Sequence, residues 1–176
     1  MAECSTDCCS NDLPYEASRD PFARLTREHS AALLQLRVLD EASHALRAGY
    51  AEDAHLRLNM AIAFIDGDVR QHNEKEERFL FPVMEKHGTV PTALFVDEHR
   101  TLWSAYTALR ETAKDIKTSG RGEELVRRAM EVVTTLTDHI AKENDMLFPL
   151  AKSILTPQEV QQLAMDLERT MQFDTP

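Results

Sequence analysis

His139-Ile140-Ala141-Lys142-Glu143, followed by Met146-Leu147-Phe148-Pro149, has a near-copy upstream in His72-Asn73-Glu74-Lys75-Glu76, followed by Leu80-Phe81-Pro82. In both copies a Glu lies four residues after the His and a Pro ten after it. On an α-helix, four residues span about 400° of rotation and about 6 Å of rise. His and Glu therefore share one face, a turn apart, and can share a metal ion. Ile62, Ile65, Val69, Phe79, Leu80 and Val83 surround the first copy, and Val132, Leu136, Met146, Leu147 and Leu150 the second. These offsets keep both pairs within a core-facing apolar stripe. An ionised carboxylate there is costly unless paired or metal-bound. One copy alone would read as a solvated helix face; two in the same stripe position, each ending in Leu-Phe-Pro, read as a pair of chelates.

The flanking segments supply the helices. Asp20-Pro21, an N-cap followed by Pro, opens a helix that runs to about Ala48 and stops at Gly49. Its stripe is Leu25, His29, Leu33, Leu36 and Leu39. A second helix is expected from about Ala51 to Lys86, bent at Gly67 and kinked by Pro82 about one turn past the chelate. Lys86-His87-Gly88 reads as an ordinary helix end, which makes His87 structural. A third helix runs from near Pro91 to about Lys117, with stripe Phe95, His99, Leu102, Trp103, Tyr106 and Leu109. After the break at Thr118-Ser119-Gly120-Arg121-Gly122, a fourth runs from about Glu123 to Ser153. Thr156-Pro157-Gln158-Glu159 is a capping box for a short last helix with stripe Val160, Leu163, Leu167 and Met171. That helix either caps the bundle or makes a dimer contact.

Composition agrees with an all-α domain. The 176 residues suit one domain, placed at 20–176 with a bundle core over about 20–153, and Gly is scarce at five. A formal charge of −10 argues against nucleic acid or an anionic membrane as partner. No apolar run approaches membrane-spanning length. The N-terminus has neither a basic start nor an apolar stretch, so no secretory signal is read there and a cytoplasmic location is the default expectation. Residues 1–19 read as a flexible tail carrying Cys4, Cys8 and Cys9. These thiols either bind a metal, engage a protein partner or take part in redox chemistry, or are incidental.

The two halves of the chain match. Arg27-Glu28-His29 on the first helix corresponds to Asp97-Glu98-His99 on the third, about 70 residues on. Each half thus supplies one helix with a single inward His and one with a His/Glu pair. The set is His29, His72, Glu76, His99, His139 and Glu143. Nitrogen and carboxylate oxygen without thiolate suit iron, and less specifically manganese or zinc. Four His and two Glu exceed one site. They suit two metals bridged by both carboxylates, with His29 and His72 on one and His99 and His139 on the other. An added oxo or hydroxo bridge would bring each metal to about five ligands and leave an open position for dioxygen, nitric oxide or peroxide. Glu28 and Glu98, about 100° around the helix from the neighbouring His, either orient an imidazole on an adjacent helix or are solvated surface carboxylates. Glu41/His44 and Glu52/His55 flank the Gly49 turn and are set aside.

This pattern, H…HxxxE…H…HxxxE, resembles the hemerythrin-like (HHE cation-binding) family over about residues 20–153. The resemblance implies an up-and-down four-helix bundle holding a non-haem di-iron centre. Members include oxygen carriers and sensors, repair proteins for iron–sulfur centres, nitric-oxide-handling proteins and mycobacterial relatives linked to peroxide breakdown. Invertebrate carriers place a second His four residues after the third-helix His; Trp103 stands there in this chain. They also use an Asp five residues after the fourth-helix His, where this chain has Glu143 at plus four and Asn144 at plus five. One imidazole fewer opens the second iron, against reversible carriage and towards a redox-active or exchange-labile site. Tyr106, seven residues after His99, is either an iron ligand, a hydrogen-bond donor to bound peroxide, or a core tyrosine; with Trp103 it is the candidate pocket residue. Two functions follow as expectations. One is a di-iron protein that binds, and reduces or disproportionates, a small oxidant. The other is a non-enzymatic protein that stores, senses or donates iron, or repairs iron–sulfur centres with the tail cysteines engaged. A metal-free interaction bundle is the third.

Overall fold

The computed structural model describes residues 20–50, 52–114 and 122–170. The expected flexible tail, with Cys4, Cys8 and Cys9, lies outside these residues. Helix α1 is Pro21–Arg47. Asp20 caps it by accepting the Phe22 N–H at 2.9 Å, and Pro21 takes the first position, where its missing N–H costs nothing. The helix ends just before Gly49, whose φ of +86° only glycine adopts freely.

Helix α2 spans 52–85 as three regular stretches, Glu52–Phe64, Arg70–Lys75 and Phe81–Glu85, joined by π turns at Ile65–Val69 and Glu76–Leu80. Helix α3 is Thr92–Lys114. Helix α4 spans 122–154, with one π turn at Glu143–Leu147 between Gly122–Lys142 and Phe148–Ile154. Helix α5 is Pro157–Thr170. The architecture is an up-and-down four-helix bundle with a short C-terminal helix, and among the described residues there is no strand. Helix α1 packs closely on α2 and α4, and α3 on α4. At Gly122 the approach is tight, because a Cβ there would lie 3.1 Å from the Arg47 Cα. No helix among the described residues is long and apolar enough to cross a membrane.

The expected bend at Gly67 and kink at Pro82 take the form of π turns. Proline offers no N–H to the carbonyl four residues back, and its ring crowds that carbonyl. The turn before each proline is widened instead: the Phe81 N–H reaches the Glu76 carbonyl, and the Phe148 N–H the Glu143 carbonyl, five residues back. The widening shifts the inward face by one residue. Met146, expected in the stripe seven residues after His139, is 56 % exposed, while Leu147 is fully buried. Phe79 and Leu80 divide the same way, with Leu80 fully buried and Phe79 only partly so.

Two apolar clusters fill the bundle. One holds Leu36, Leu39, Leu58, Leu102, Leu109 and Leu136 among others. The other holds Phe22, Leu25, Phe81, Phe95, Phe148 and Leu163. Because Leu163 and Leu167 belong to the second, α5 covers that end of the bundle. Its capping box is formed: the Thr156 N–H donates to Glu159 Oε2 at 2.9 Å, and the Glu159 N–H to Thr156 Oγ1 at 3.3 Å. His87 Nε2 also meets Glu159 Oε2 at 2.9 Å and ties the end of α2 to α5.

Leu102→Ala, in the first cluster, is expected to cost about 2–5 kcal/mol, and Thr156→Ala about 1 kcal/mol. Urea unfolding of the full chain measures both; a smaller loss at Leu102 than at Thr156 would contradict the core described here.

Candidate metal centre

The six inward side chains meet in the bundle interior: His29 from α1, His72 and Glu76 from α2, His99 from α3, His139 and Glu143 from α4. All are buried, and both carboxylates have no exposure to solvent. The histidine Nε2 atoms converge in pairs, His29 with His72 at 2.9 Å and His99 with His139 at 3.1 Å. Glu143 reaches both pairs, with Oε2 3.0 Å from His29 Nε2 and Oε1 3.0 Å from His139 Nε2. Glu76 does the same, with Oε1 3.4 Å from His72 Nε2 and Oε2 3.6 Å from His99 Nε2. The result is two four-donor groups, His29/His72/Glu76/Glu143 and Glu76/His99/His139/Glu143, each with donor atoms within 4.8 Å of one another.

The outer ring nitrogens show what the inner ones carry. His72 Nδ1 lies 2.8 Å from Glu28 Oε2, and His139 Nδ1 3.0 Å from Glu98 Oε2. His99 Nδ1 lies 2.6 Å from Glu77 Oε1, and His29 Nδ1 3.0 Å from Asn144 Oδ1. All four partners are acceptors, so each Nδ1–H donates outward and each Nε2 presents a lone pair inward. Among the described residues, none of the four oxygens of Glu76 and Glu143 has a hydrogen-bond donor. Eight lone-pair atoms therefore face one another in a buried interior, an arrangement that a cation in each group relieves. The spacing fits: with bonds of about 2.1 Å, neighbouring donors around an octahedral ion lie about 3 Å apart.

Without a cation, protons take its place. Burial opposes a charge on His72, but the Glu76 carboxylate and the bond to Glu28 outweigh it and raise its pKa to about 10. Burial likewise opposes a charge on His139, and Glu143 and Glu98 raise it to about 8. Burial would raise the Glu76 carboxyl, yet His72 and His99 hold it well below the usual carboxylate range. One proton per histidine pair thus satisfies the metal-free chain.

Glu28 and Glu98, left open between two roles by the sequence, orient His72 and His139. Lys75 Nζ donates to Glu28 at 2.9 Å, and Lys142 donates to Glu98. Burial would raise the Glu28 carboxyl, but His72 and Lys75 pull it down to about 2. The signal for these lysines was in the sequence, since both stand three residues after the chelate histidine. Glu77 and Asn144 occupy matching positions too, each directly after a chelate glutamate. The repeated Leu-Phe-Pro also acquires a role: Phe148 stacks on His29 with centroids 5.3 Å apart, and Phe81 on His99 at 6.0 Å.

Trp103 and Tyr106 are not brought to the centre, which corrects the expectation that they shape its pocket. The Tyr106 hydroxyl points to the Ile62 carbonyl at 3.5 Å. That carbonyl is ten residues, about 15 Å of helix, before His72. Trp103 lies under the Arg70 guanidinium, 4.0 Å from its ring centroid. Glu41 pairs with Arg57 and His44 with Asp40, away from the centre. A cavity of about 150 Å³ adjoins His29 and His72.

Comparison with known proteins agrees with this geometry. The model of the hemerythrin HHE cation binding domain matches residues 20–151. The iron-sulfur cluster repair protein DnrN of Neisseria gonorrhoeae is 26 % identical over 143 residues, covering 77 % of this chain and 90 % of that protein.

Metal uptake by the metal-free chain at pH 7 should release about two protons, one per histidine pair, measurable by titration calorimetry in buffers of different ionisation enthalpy. Since the folded pKa values of His139 and His72 lie above the unfolded value of about 6.5, protonation stabilises the metal-free fold fully below that pH. This contribution is lost as pH rises through about 8 and then about 10. Apparent metal affinity should rise over the same window, and a pH-independent affinity would contradict the proton-for-metal exchange. Glu28→Gln should weaken metal binding about 10- to 100-fold.

Proposed function

This chain belongs to the hemerythrin HHE cation-binding domain family, and we propose that its six inward side chains hold two iron ions that bind a small oxidant. The observation that carries the reading is the sharing of both Glu76 and Glu143 between two histidine pairs. One carboxylate oxygen is available to each pair, as bridging requires. The all-nitrogen-and-oxygen donor set suits iron, and manganese or zinc less specifically. Two histidines and two carboxylate oxygens would hold each ion, and with an oxo or hydroxo bridge each would have five ligands, leaving room for a sixth.

Iron at these positions supplies Lewis acidity and electrons. The chain supplies the rest. Outward hydrogen bonds to Glu28, Glu77, Glu98 and Asn144 lock each imidazole in one tautomer and orientation. Two apolar clusters pack the bundle interior. The cavity beside His29 and His72 admits molecules of a few atoms. Peroxide is the first candidate, with its decomposition as the reaction; dioxygen and nitric oxide follow. Reversible oxygen carriage is disfavoured, because Trp103 replaces the additional imidazole and turns to Arg70.

A second reading has one observation behind it. The likeness to DnrN covers nearly the whole of a protein named for iron–sulfur cluster repair. In this reading the centre donates or senses iron, and Cys4, Cys8 and Cys9 contact a protein partner or a damaged cluster.

Protein purified in air should contain about two irons per chain and show an oxo-to-iron charge-transfer band. His72→Ala should lose both, and Glu143→Ala should retain fewer than two irons; two irons in Glu143→Ala would defeat the bridging assignment. Oxygen evolution on adding peroxide selects the enzymatic reading. A static spectrum, with repair of a damaged cluster abolished by Cys8→Ser and Cys9→Ser together, selects the second. Iron-free protein defeats both.

A further inference from the structure

We propose that Asn73 is the hydrogen-bond partner of the small ligand, which therefore binds on the His29–His72 side of the centre. The inference rests on the di-iron reading above. Asn73 is only 2 % exposed, yet neither its Nδ2 nor its Oδ1 has a hydrogen-bond partner among the described residues. A buried amide without protein partners is destabilising, and such groups mark places where a polar guest is received. Asn73 lines the cavity of about 150 Å³, together with His29, His72, Ala32, Val69 and Ile140. His139 and the shared Glu143 line it as well, but His99 does not, so only the His29–His72 pair contributes both of its rings. A void of this volume holds a two- or three-atom molecule with room for water.

The duplication of the chain breaks at this point, and the breaks agree with one another. The position after each chelate histidine is Asn73 in one half and Ile140 in the other, and both face the same cavity. One half therefore contributes an amide to the lining where the other contributes an apolar side chain. The second break lies behind the histidines. His99 is backed by the carboxylate of Glu77, His29 by the neutral amide of Asn144. A carboxylate behind an imidazole makes it the stronger donor to its metal. An ion held by His29 and His72 would accordingly be the more Lewis acidic of the two, and both of its histidines line the cavity, against His139 alone of the other pair. An amide suits the ligand chemistry as well: its N–H donates to the far atom of azide or peroxide, and its carbonyl accepts from a protonated peroxide.

Azide, titrated into the iron-loaded full chain and followed by its optical spectrum, tests this. Asn73→Ala and Asn73→Leu should both keep the wild-type iron content and raise the azide Kd about tenfold. Because no protein hydrogen bond is lost, neither variant should lower the Tm. A merely steric role would weaken azide only in the Leu variant, and an unchanged Kd in Asn73→Ala at full iron load overturns the proposal. So does loss of iron from a folded Asn73→Ala chain, which would make the amide part of the metal scaffold. An iron-free wild type would instead defeat the metal reading itself, an outcome separate from these.

Discussion

Four imidazole lone pairs and four carboxylate oxygens face one another in the buried interior, and the rest of the bundle is arranged around that conflict. With neither protons nor cations, the arrangement would be one of mutual repulsion. A cation in each four-donor group would convert the repulsion into attraction. Protons on His72 and His139 do the same less completely, which is why these two side chains hold their protons so far above the ordinary histidine range. The glutamates outside them, Glu28 and Glu98, keep each ring turned with its lone pair inward, and Lys75 and Lys142 hold those glutamates in turn.

The prolines belong to the same arrangement. Each chelate glutamate opens a π turn that closes at the Phe of Leu-Phe-Pro. The wide turn spares the carbonyl that proline would crowd. It also rotates the following residues, so that Phe81 and Phe148 swing over the histidines of the other half. A straight α-helix would have placed Met146 in the core and left Leu147 aside; the π turn reverses them. Local backbone strain, ligand placement and packing are thus one device used twice, once in each half.

Where the halves diverge, the centre acquires a direction. Asn73 against Ile140 and Asn144 against Glu77 are small changes in a long repeat, but the first pair lines the cavity and the second sets an amide behind His29 where His99 has a carboxylate. A symmetric site would offer a ligand two equivalent positions. This one backs one histidine pair with an extra negative charge and gives the other pair room and an amide.

Much of this was legible in the chain itself. Helix periodicity, the Asp20-Pro21 cap and the Thr156–Glu159 box depend on neighbours a few residues apart, so α1 and α5 begin where the sequence places them. The doubled His-x-x-x-Glu is likewise local and supplies four of the six side chains, while His29 and His99 are read from the match between the two halves. What the sequence left undecided involves atoms distant along the chain. Glu28 and Glu98 could have been surface carboxylates until α2 and α4 were seen against them. Tyr106 shares a helix face with His99, but its hydroxyl is claimed by a carbonyl of α2. Asn73 carries no local signal, because its meaning is the absence of a hydrogen-bond partner among the described residues, in a cavity that α1 and α4 complete. Helical spacing sets which way a side chain points, but only tertiary packing sets what it meets there.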